Sequence, residues 1–536
     1  MRAINNALLK LAKRAETHDR QHLIDSFVDV GPVFTLLSNP DNQIVFGRRG
    51  TGKTHVLGYL NNEIIKGGTV SVQLDMRTIG STGGIYADTR LALAERATRL
   101  LVDTLQAIHE KILNEAIERE AQIDLSKLGP HLDAFADASS VVVVDGNVEI
   151  KEGDTDTSSK SSSFKFVFGA GSKGVKASAD ASAEDKVGFS HSLERKRNGV
   201  EKLRVHFSSV MREIQKVVDE LPNKKLWILF DEWSEIPLDL QPYLADLLRR
   251  CVIPVRGVTI KIAAIEQRCQ FRIPDEDIGH IGIEIGADAA ASINLDEFLV
   301  FDNDTELSKK FFLDLLHRHV SALLAGDAIV KIPSTSSGFI GELFTQVTAF
   351  EEFVRAAEGV PRDAINIISL AAQKALSDKI SVPIVRVAAR TWYTRAKQQA
   401  VSTKPDAQKL LAWVIDEVIQ HRKARAFLLE ADSRDELIEF LYDARVLHLI
   451  KQSVSARDEP GRRYNVYSLD YGCYVELINT SSAPAGLFEV DLDEAPGYVD
   501  VPHTDYRSIR RAILKLDPFY KSLEQIESVQ SLIQLG

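Results

Sequence analysis

The period of hydrophobic and polar positions changes several times along the chain, and these changes predict its elements. Short apolar, β-prone runs occur at residues 43–46, 69–74, 225–230 and 258–265, with the length and unbroken hydrophobicity of strands buried on both faces. Elsewhere apolar positions recur every three or four residues, which predicts helices over 55–65, 87–120, 238–248 and 363–377. Strands of this kind alternating with helices are the pattern of a parallel α/β sheet. Farther along, residues 409–420 and 434–441 read as helices, 446–450 as a strand, 457–463 as a polar turn and 464–469 as a returning strand.

The chain has 536 residues, more than one hydrophobic core usually organises, so two or three domains are expected. Charged residues make up 26% and hydrophobic ones 44%, as in ordinary globular proteins. The formal net charge of -11 argues against a basic surface that binds nucleic acid over its full extent, so any such contact must be local. Cys251, Cys269 and Cys473 form no CxxC pair and read as inert thiols in a reducing cytosol. Residues 1–20 are amphipathic, reading as a helix and not a signal peptide. No run approaches the roughly 18 apolar residues of a membrane span, so a soluble, cytoplasmic protein is expected.

The strand at 43–46 breaks into Gly47-Arg48-Arg49-Gly50-Thr51-Gly52-Lys53-Thr54, followed at His55 by a helical pattern. Strand, glycine loop and helix are the context a P-loop requires. Glycines let backbone N–H groups turn inward around phosphate oxygens. Lys53 is expected on the β- and γ-phosphates and Thr54 on magnesium, with the helix N-terminus adding positive partial charge. Residues Gly47 through His55 are therefore the candidate ATP-binding segment, with ATP and Mg2+ as the expected cofactors. The run at 225–230 ends in Asp231-Glu232, as a buried strand delivers carboxylates to its C-terminal edge. The pair resembles a Walker B motif. That resemblance implies Asp231 on magnesium through water and Glu232 as the residue that orients and deprotonates the attacking water.

The run at 258–265 ends in Glu266-Gln267-Arg268 and resembles the sensor 1 strand of AAA+ proteins, which makes Arg268 a candidate γ-phosphate contact; a solvated strand end is the competing reading. Gly359-Val360-Pro361-Arg362 resembles a sensor 2 motif, with Pro361 as a helix-start signal and Arg362 meeting the nucleotide as a lid closes. Together these motifs resemble AAA+ ATPases of the origin-recognition and replication-initiator type, related to signal-transducing ATPases with numerous domains. The resemblance implies an α/β P-loop NTPase (AAA+/ASCE) core with a parallel sheet, an α-helical lid and a C-terminal winged-helix domain. It places Phe27 and Val28 near the adenine and makes Arg249 or Arg250 a candidate arginine finger for a neighbouring subunit.

The expected layout is an N-terminal helix at 1–24, the AAA+ core at 25–305, the lid at 306–404, the winged helix at 405–490 and a helical tail at 491–536. An insertion at about 132–200 separates Thr54 from Asp231. It is rich in Ser, Asp, Lys and Gly over 154–183, and β-like pieces at 141–144 and 163–168 predict a hairpin with a flexible tip. Either a tolerated surface insertion or a partner contact accounts for it. The winged helix would place Arg462 or Arg463 on DNA phosphate, yet residues 405–480 carry ten basic and thirteen acidic side chains, so protein contact is equally open. The most basic local patch is the predicted tail helix at 506–516, with Arg507, Arg510, Arg511 and Lys515. Two functions remain: an ATP-hydrolysing switch that acts on or assembles at double-stranded DNA, and an ATP-gated signalling or scaffold ATPase of a bacterial defence system that contacts proteins. Self-association or an operon-encoded protein partner goes with either.

Overall fold

The computed structural model describes residues 3–11, 20–29, 31–79, 86–139, 141–145, 148–150, 167–168, 195–197, 200–275, 279–289, 291–299, 304–324, 332–333, 335–421, 426–431, 433, 435–455, 461–478 and 513–524. The chain forms two compact units, one comprising 1–36, 46–56 and 294–536, the other 37–45 and 57–293.

The second unit is built on a five-stranded sheet. Its strands run in the order Ala291–Asn294, Gln43–Phe46, Val258–Ala264, Leu226–Asp231 and Val70–Asp75. The last three pair in parallel, with Val70 opposite Leu226 and Leu226 opposite Val258. Leu226–Asp231 and Val258–Ala264 are buried at every position, which is why their sequences run apolar instead of alternating. Lys261 is a buried lysine inside this core: its Nζ donates to the carbonyls of Asn39 and Asp41 and to Gln43 Oε1. A strand thus lies between the one leading to the glycine loop and the one ending in acids, as the AAA+/ASCE class requires.

Helix Leu93–Glu118 starts six residues later than the hydrophobic pattern predicts. The Asp88 carboxylate accepts from the N–H and guanidinium of Arg90, and this local turn competes with helix. Between helices Leu125–Ser139 and Phe207–Glu220 the insertion is an antiparallel ribbon. Val141–Asp145 pairs with Val200–Arg204, and Val148–Ile150 with Arg195–Arg197. Of the expected partner at 163–168 the described residues are Val167–Phe168, which pair with Val143 and Val142; the sequence pattern does not predict the returning strand at 200–204. The predicted tip and most of 154–183 lie outside the described residues.

In the first unit, helices Thr305–Leu324, Ser336–Leu343, Val347–Ala357, Pro361–Ala375 and Val382–Trp392 share one apolar core with Ala3–Leu9. The N-terminal helix is shorter than expected and is anchored by Asn5 Nδ2, which donates to the carbonyls of Leu376 (2.7 Å) and Asp378 (3.2 Å). Pro361 occupies the first turn of its helix, where its missing N–H costs nothing. The same core takes in Pro405–Val414, Glu436–Asp443 and Tyr471–Ile478. Glu436–Asp443 starts on an Asp435 cap that accepts from the N–H groups of Leu437 and Ile438.

Beside these helices lies a three-stranded antiparallel sheet, Ala426–Glu430, Arg463–Leu469 and Leu447–Ser455 in spatial order. The strand Ala426–Glu430 was missed by the sequence pattern. Of the predicted tail helix at 506–516 only 513–516 are described, and these are not helical: Ile513 bridges Leu428 and the Leu514 N–H donates to the Leu428 carbonyl. A helix follows at 517–524, and Arg507, Arg510 and Arg511 lie outside the described residues. Among the described residues, no helix is long and apolar enough to cross a membrane.

Candidate functional site

The glycine loop follows strand Gln43–Phe46 and runs into helix Lys53–Lys66. Gly50 and Gly52 have φ of 90° and 101°, a region side chains disfavour. A Cβ on Gly47 would stand 2.5 Å from Thr51 Oγ1. Lys53 Nζ donates to the carbonyls of Gly47 (2.7 Å) and Arg48 (3.0 Å), so the ammonium lies along the inner rim of the loop. Thr54 is half-buried in the first helical turn, where backbone N–H groups point out of the helix. These residues fit a polyphosphate: unobstructed backbone, one ammonium and a helix N-terminus converge. Thr54 supplies a hydroxyl suited to magnesium.

Arg362 comes directly onto this loop. Its N–H donates to the Gly50 carbonyl at 3.2 Å, and a Cβ on Gly50 would meet Arg362 Cβ at 2.7 Å. Gly50 is therefore required twice, by dihedral and by close approach. His55 turns elsewhere, its Nε2–H donating to the Leu23 carbonyl at 2.8 Å while its ring meets Phe27 edge-on. Phe27, Val28, His55, Phe311, Leu315 and Pro361 line a partly open, mainly apolar recess beside the phosphate loop.

Arg48 behaves differently from the rest of the loop. Its backbone N–H donates to Asp296 Oδ2 (2.8 Å) and its Nε to Asp296 Oδ1 (3.0 Å). Its Nη1 donates to His448 Nδ1 (2.8 Å), and the guanidinium lies 4.8 Å from the centre of the Tyr442 ring. The guanidinium is buried, and its polar partners lie outside the loop sequence. His448 Nε2–H in turn donates to Asp470 Oδ2 (3.0 Å), which also takes Lys397 Nζ (2.5 Å); Lys397 reaches Asp363 at 2.8 Å. Arg445 closes the cluster, with Nε 3.3 Å from Asp363 and Nη1 donating to the Arg49 carbonyl (3.3 Å). Arg48, Lys397 and Arg445 offset Asp296, Asp363 and Asp470, as buried charges demand.

Burial and the neighbouring cations press the His448 ring down to about 3, so it is neutral near pH 7 despite its bond to Asp470. This fixes the Nε2–H tautomer, which accepts from Arg48 and donates to Asp470. Burial alone would raise the Asp363 and Asp470 carboxyls. Arg445 and Lys397 for the first, and Lys397 with His448 for the second, hold both below the usual carboxylate range.

In the second unit, Asp231 is the buried last residue of its strand, and Asp75 ends the neighbouring strand directly opposite. Asp231 Oδ1 accepts the Glu232 N–H at 2.9 Å, which holds Glu232 in left-handed backbone (φ 55°). Arg268 ends a short turn after Val258–Ala264 and is half-buried. Two residues not singled out in the sequence join these strand ends. Ser234 Oγ accepts the Ile265 N–H (2.7 Å). The buried Gln241 amide donates to the carbonyls of Ile236 and Arg268 and accepts from the Gln270 N–H. A lone Ser or Gln carries no motif, so only the three-dimensional contacts reveal them.

Arg249 and Arg250 lie on a π-helical turn, Leu248–Val252, beyond a helix that runs Gln241–Leu247, shorter than the expected 238–248. Both pair with Asp246, at 2.7 and 2.6 Å. On the C-terminal sheet Arg462 pairs with Glu430 (2.8 Å), and Arg463 donates to the Ser453 carbonyl and Ser455 Oγ.

A sequence model of the ORC-CDC6-like family matches residues 11–318. No curated protein matches the chain. Among solved structures, Aeropyrum pernix Orc1 in complex with DNA aligns at 12% identity over 85% of this chain and 96% of its own, with a TM-score of 0.30. Pyrobaculum aerophilum Cdc6p aligns at 11% over 87% and 93% (TM-score 0.29), and Drosophila ORC bound to DNA at 11% over 87% and 94% (TM-score 0.30). The family model spans more than half of the chain and takes in the glycine loop, the acid pair and every strand of the five-stranded sheet, so this chain belongs to the ORC-CDC6-like family of AAA+ proteins.

Proposed function

We propose that the chain is an ATP-driven molecular switch that acts at double-stranded DNA. The observation that carries this reading is the direct seating of the Arg362 helix on the phosphate loop through Gly50. A phosphate bound by the loop and a helix resting on it cannot change independently. In this reading Gly47 to Thr54 bind the ATP phosphates, Lys53 neutralises the β- and γ-phosphates and Thr54 holds magnesium. Asp231 would help to hold the metal, and Glu232 orients and deprotonates the attacking water. Magnesium, when bound, would supply positive charge to the phosphate oxygens. Arg362 and Arg268 are the candidate sensors of the γ-phosphate, and the Phe27 recess takes the base. The three-stranded sheet with its helices is proposed as a winged helix. Membership in the ORC-CDC6-like family supports DNA as its target.

Steady-state ATP hydrolysis with and without duplex DNA, at low and moderate salt, tests this directly, with Lys53→Ala as the blank. Turnover stimulated by DNA, with the stimulation fading as salt rises, is expected. Turnover indifferent to DNA would remove the DNA-directed half of the proposal and favour a protein-directed switch. Parent turnover no greater than the blank would remove the ATPase itself.

A further inference from the structure

Arg48 is an unusual occupant of a phosphate loop, because both its backbone N–H and its guanidinium are committed to groups outside the loop. Three buried partners from two separate stretches of chain hold it: Asp296, Tyr442 and His448. A fourth residue, Arg445, donates to the carbonyl of the next loop residue, Arg49. Asp296 is itself fixed, its N–H donating to Asn294 Oδ1 and its Oδ2 also accepting from the Tyr442 hydroxyl at 3.3 Å. His448 is fixed by Asp470.

We propose that Asp296, His448 and Arg445 are positioning residues for the nucleotide site, holding residues 48–49 so that the phosphate loop is shaped before nucleotide arrives. The C-terminal region then belongs to the ATP site without touching ATP. The physical reason is preorganisation. A glycine-rich loop has many accessible backbone conformations, and binding must select one of them. Four hydrogen bonds to two consecutive residues, each charge-assisted through a carboxylate or a guanidinium, remove that cost in advance. The alternating chain of charges from Arg48 to Arg445 also explains the neutral histidine. A protonated His448 would face the Arg48 guanidinium, so only the neutral ring can accept its N–H.

The inference rests on nucleotide binding at the glycine loop, and its test separates the two ideas. The dissociation constant of a fluorescent ADP analogue is measured on the full chain for the parent, Lys53→Ala, His448→Leu, His448→Gln, Arg48→Met and the Arg48→Met/His448→Leu pair, alongside thermal unfolding. A parent that does not bind removes the nucleotide-binding reading itself.

With binding established, His448→Leu is expected to weaken the parent affinity at least about tenfold. His448→Gln, which can still accept from Arg48 and donate to Asp470, stays within about threefold. In the Arg48→Met background His448→Leu adds little, because the two act through one contact. A merely structural role for His448 would instead give additive losses and no rescue by glutamine, and either result overturns the proposal, as does parent-like affinity in His448→Leu. Where His448→Leu does not fold, Asp296→Asn answers the same question: it keeps the shape and loses the charge facing Arg48, so weakened binding supports the proposal and parent affinity overturns it.

Discussion

Glu232 sits in left-handed backbone that a non-glycine residue adopts at some cost. The Asp231 carboxylate holds it there through the Glu232 N–H, so the side chain leaves the strand end in one set direction. Strain of this kind at the end of a fully buried strand is worth keeping only if direction matters. Glu232→Gln preserves the backbone and the shape. Nucleotide affinity is expected to remain within about threefold, while hydrolysis falls by about two orders of magnitude or more; equal turnover would refute the assigned role.

Lys261 is a second residue whose surroundings decide its chemistry. Burial pushes its ammonium down to about 7, with Asp41 acting in the opposite direction. Its three oxygen acceptors and the Trp227 ring 5.2 Å away soften but do not cancel the burial. The folded lysine therefore releases its proton near pH 7, whereas the unfolded chain keeps it to about 10.4. Between these values the unfolded state binds more protons, so stability rises with pH. In urea unfolding at pH 7 and 9.5, the parent should gain stability relative to Lys261→Met. Equal gains in both would show that Lys261 titrates normally.

Among elements, the joint between the phosphate loop and helix Pro361–Ala375 is the one most open to a decisive change. Gly50 and Gly52 share a positive φ, but only at Gly50 would a Cβ strike the helix; around Gly52 nothing lies within 4 Å. Gly52→Ala should cost about 1 kcal/mol or slightly more through the dihedral alone. Gly50→Ala adds displacement of Arg362 and should lower the unfolding temperature further. Equal shifts would mean that the helix is not seated on the loop as described. This joint was half legible in the sequence. The loop could be read because each of its glycines answers a local backbone demand, and the helix start because Pro361 announces it. The contact between them depends on the fold and left no local mark. The same distinction explains the missed strands. Ala426–Glu430 is a short apolar run whose periodicity fits helix or strand equally well, and Val200–Arg204 follows a stretch of mixed polar residues that hides its partner at Val141–Asp145.

At the scale of the molecule, the two units are discontinuous in sequence, and eleven residues around the phosphate loop, 46–56, group with residues 294–536 while the chain on either side belongs to the sheet unit. Reading along the chain assigned the loop to a core at 25–305, since motif order follows sequence while packing does not. His448 and Asp296 escaped that reading for a related reason. A P-loop pattern specifies backbone, leaving the side chain of Arg48 unassigned, and nothing in residues 405–490 resembles a nucleotide motif. The interleaving bears on how the protein's activities can be mapped. A chain shortened before residue 405 would lose His448, Tyr442, Arg445 and Asp470 together, exposing Arg48 and Asp363 to solvent. Deletion mapping would then record the loss of nucleotide binding, and of any DNA contact proposed for the C-terminal region, as one defect. Point substitutions that leave the partners of Arg48 in place avoid that confusion.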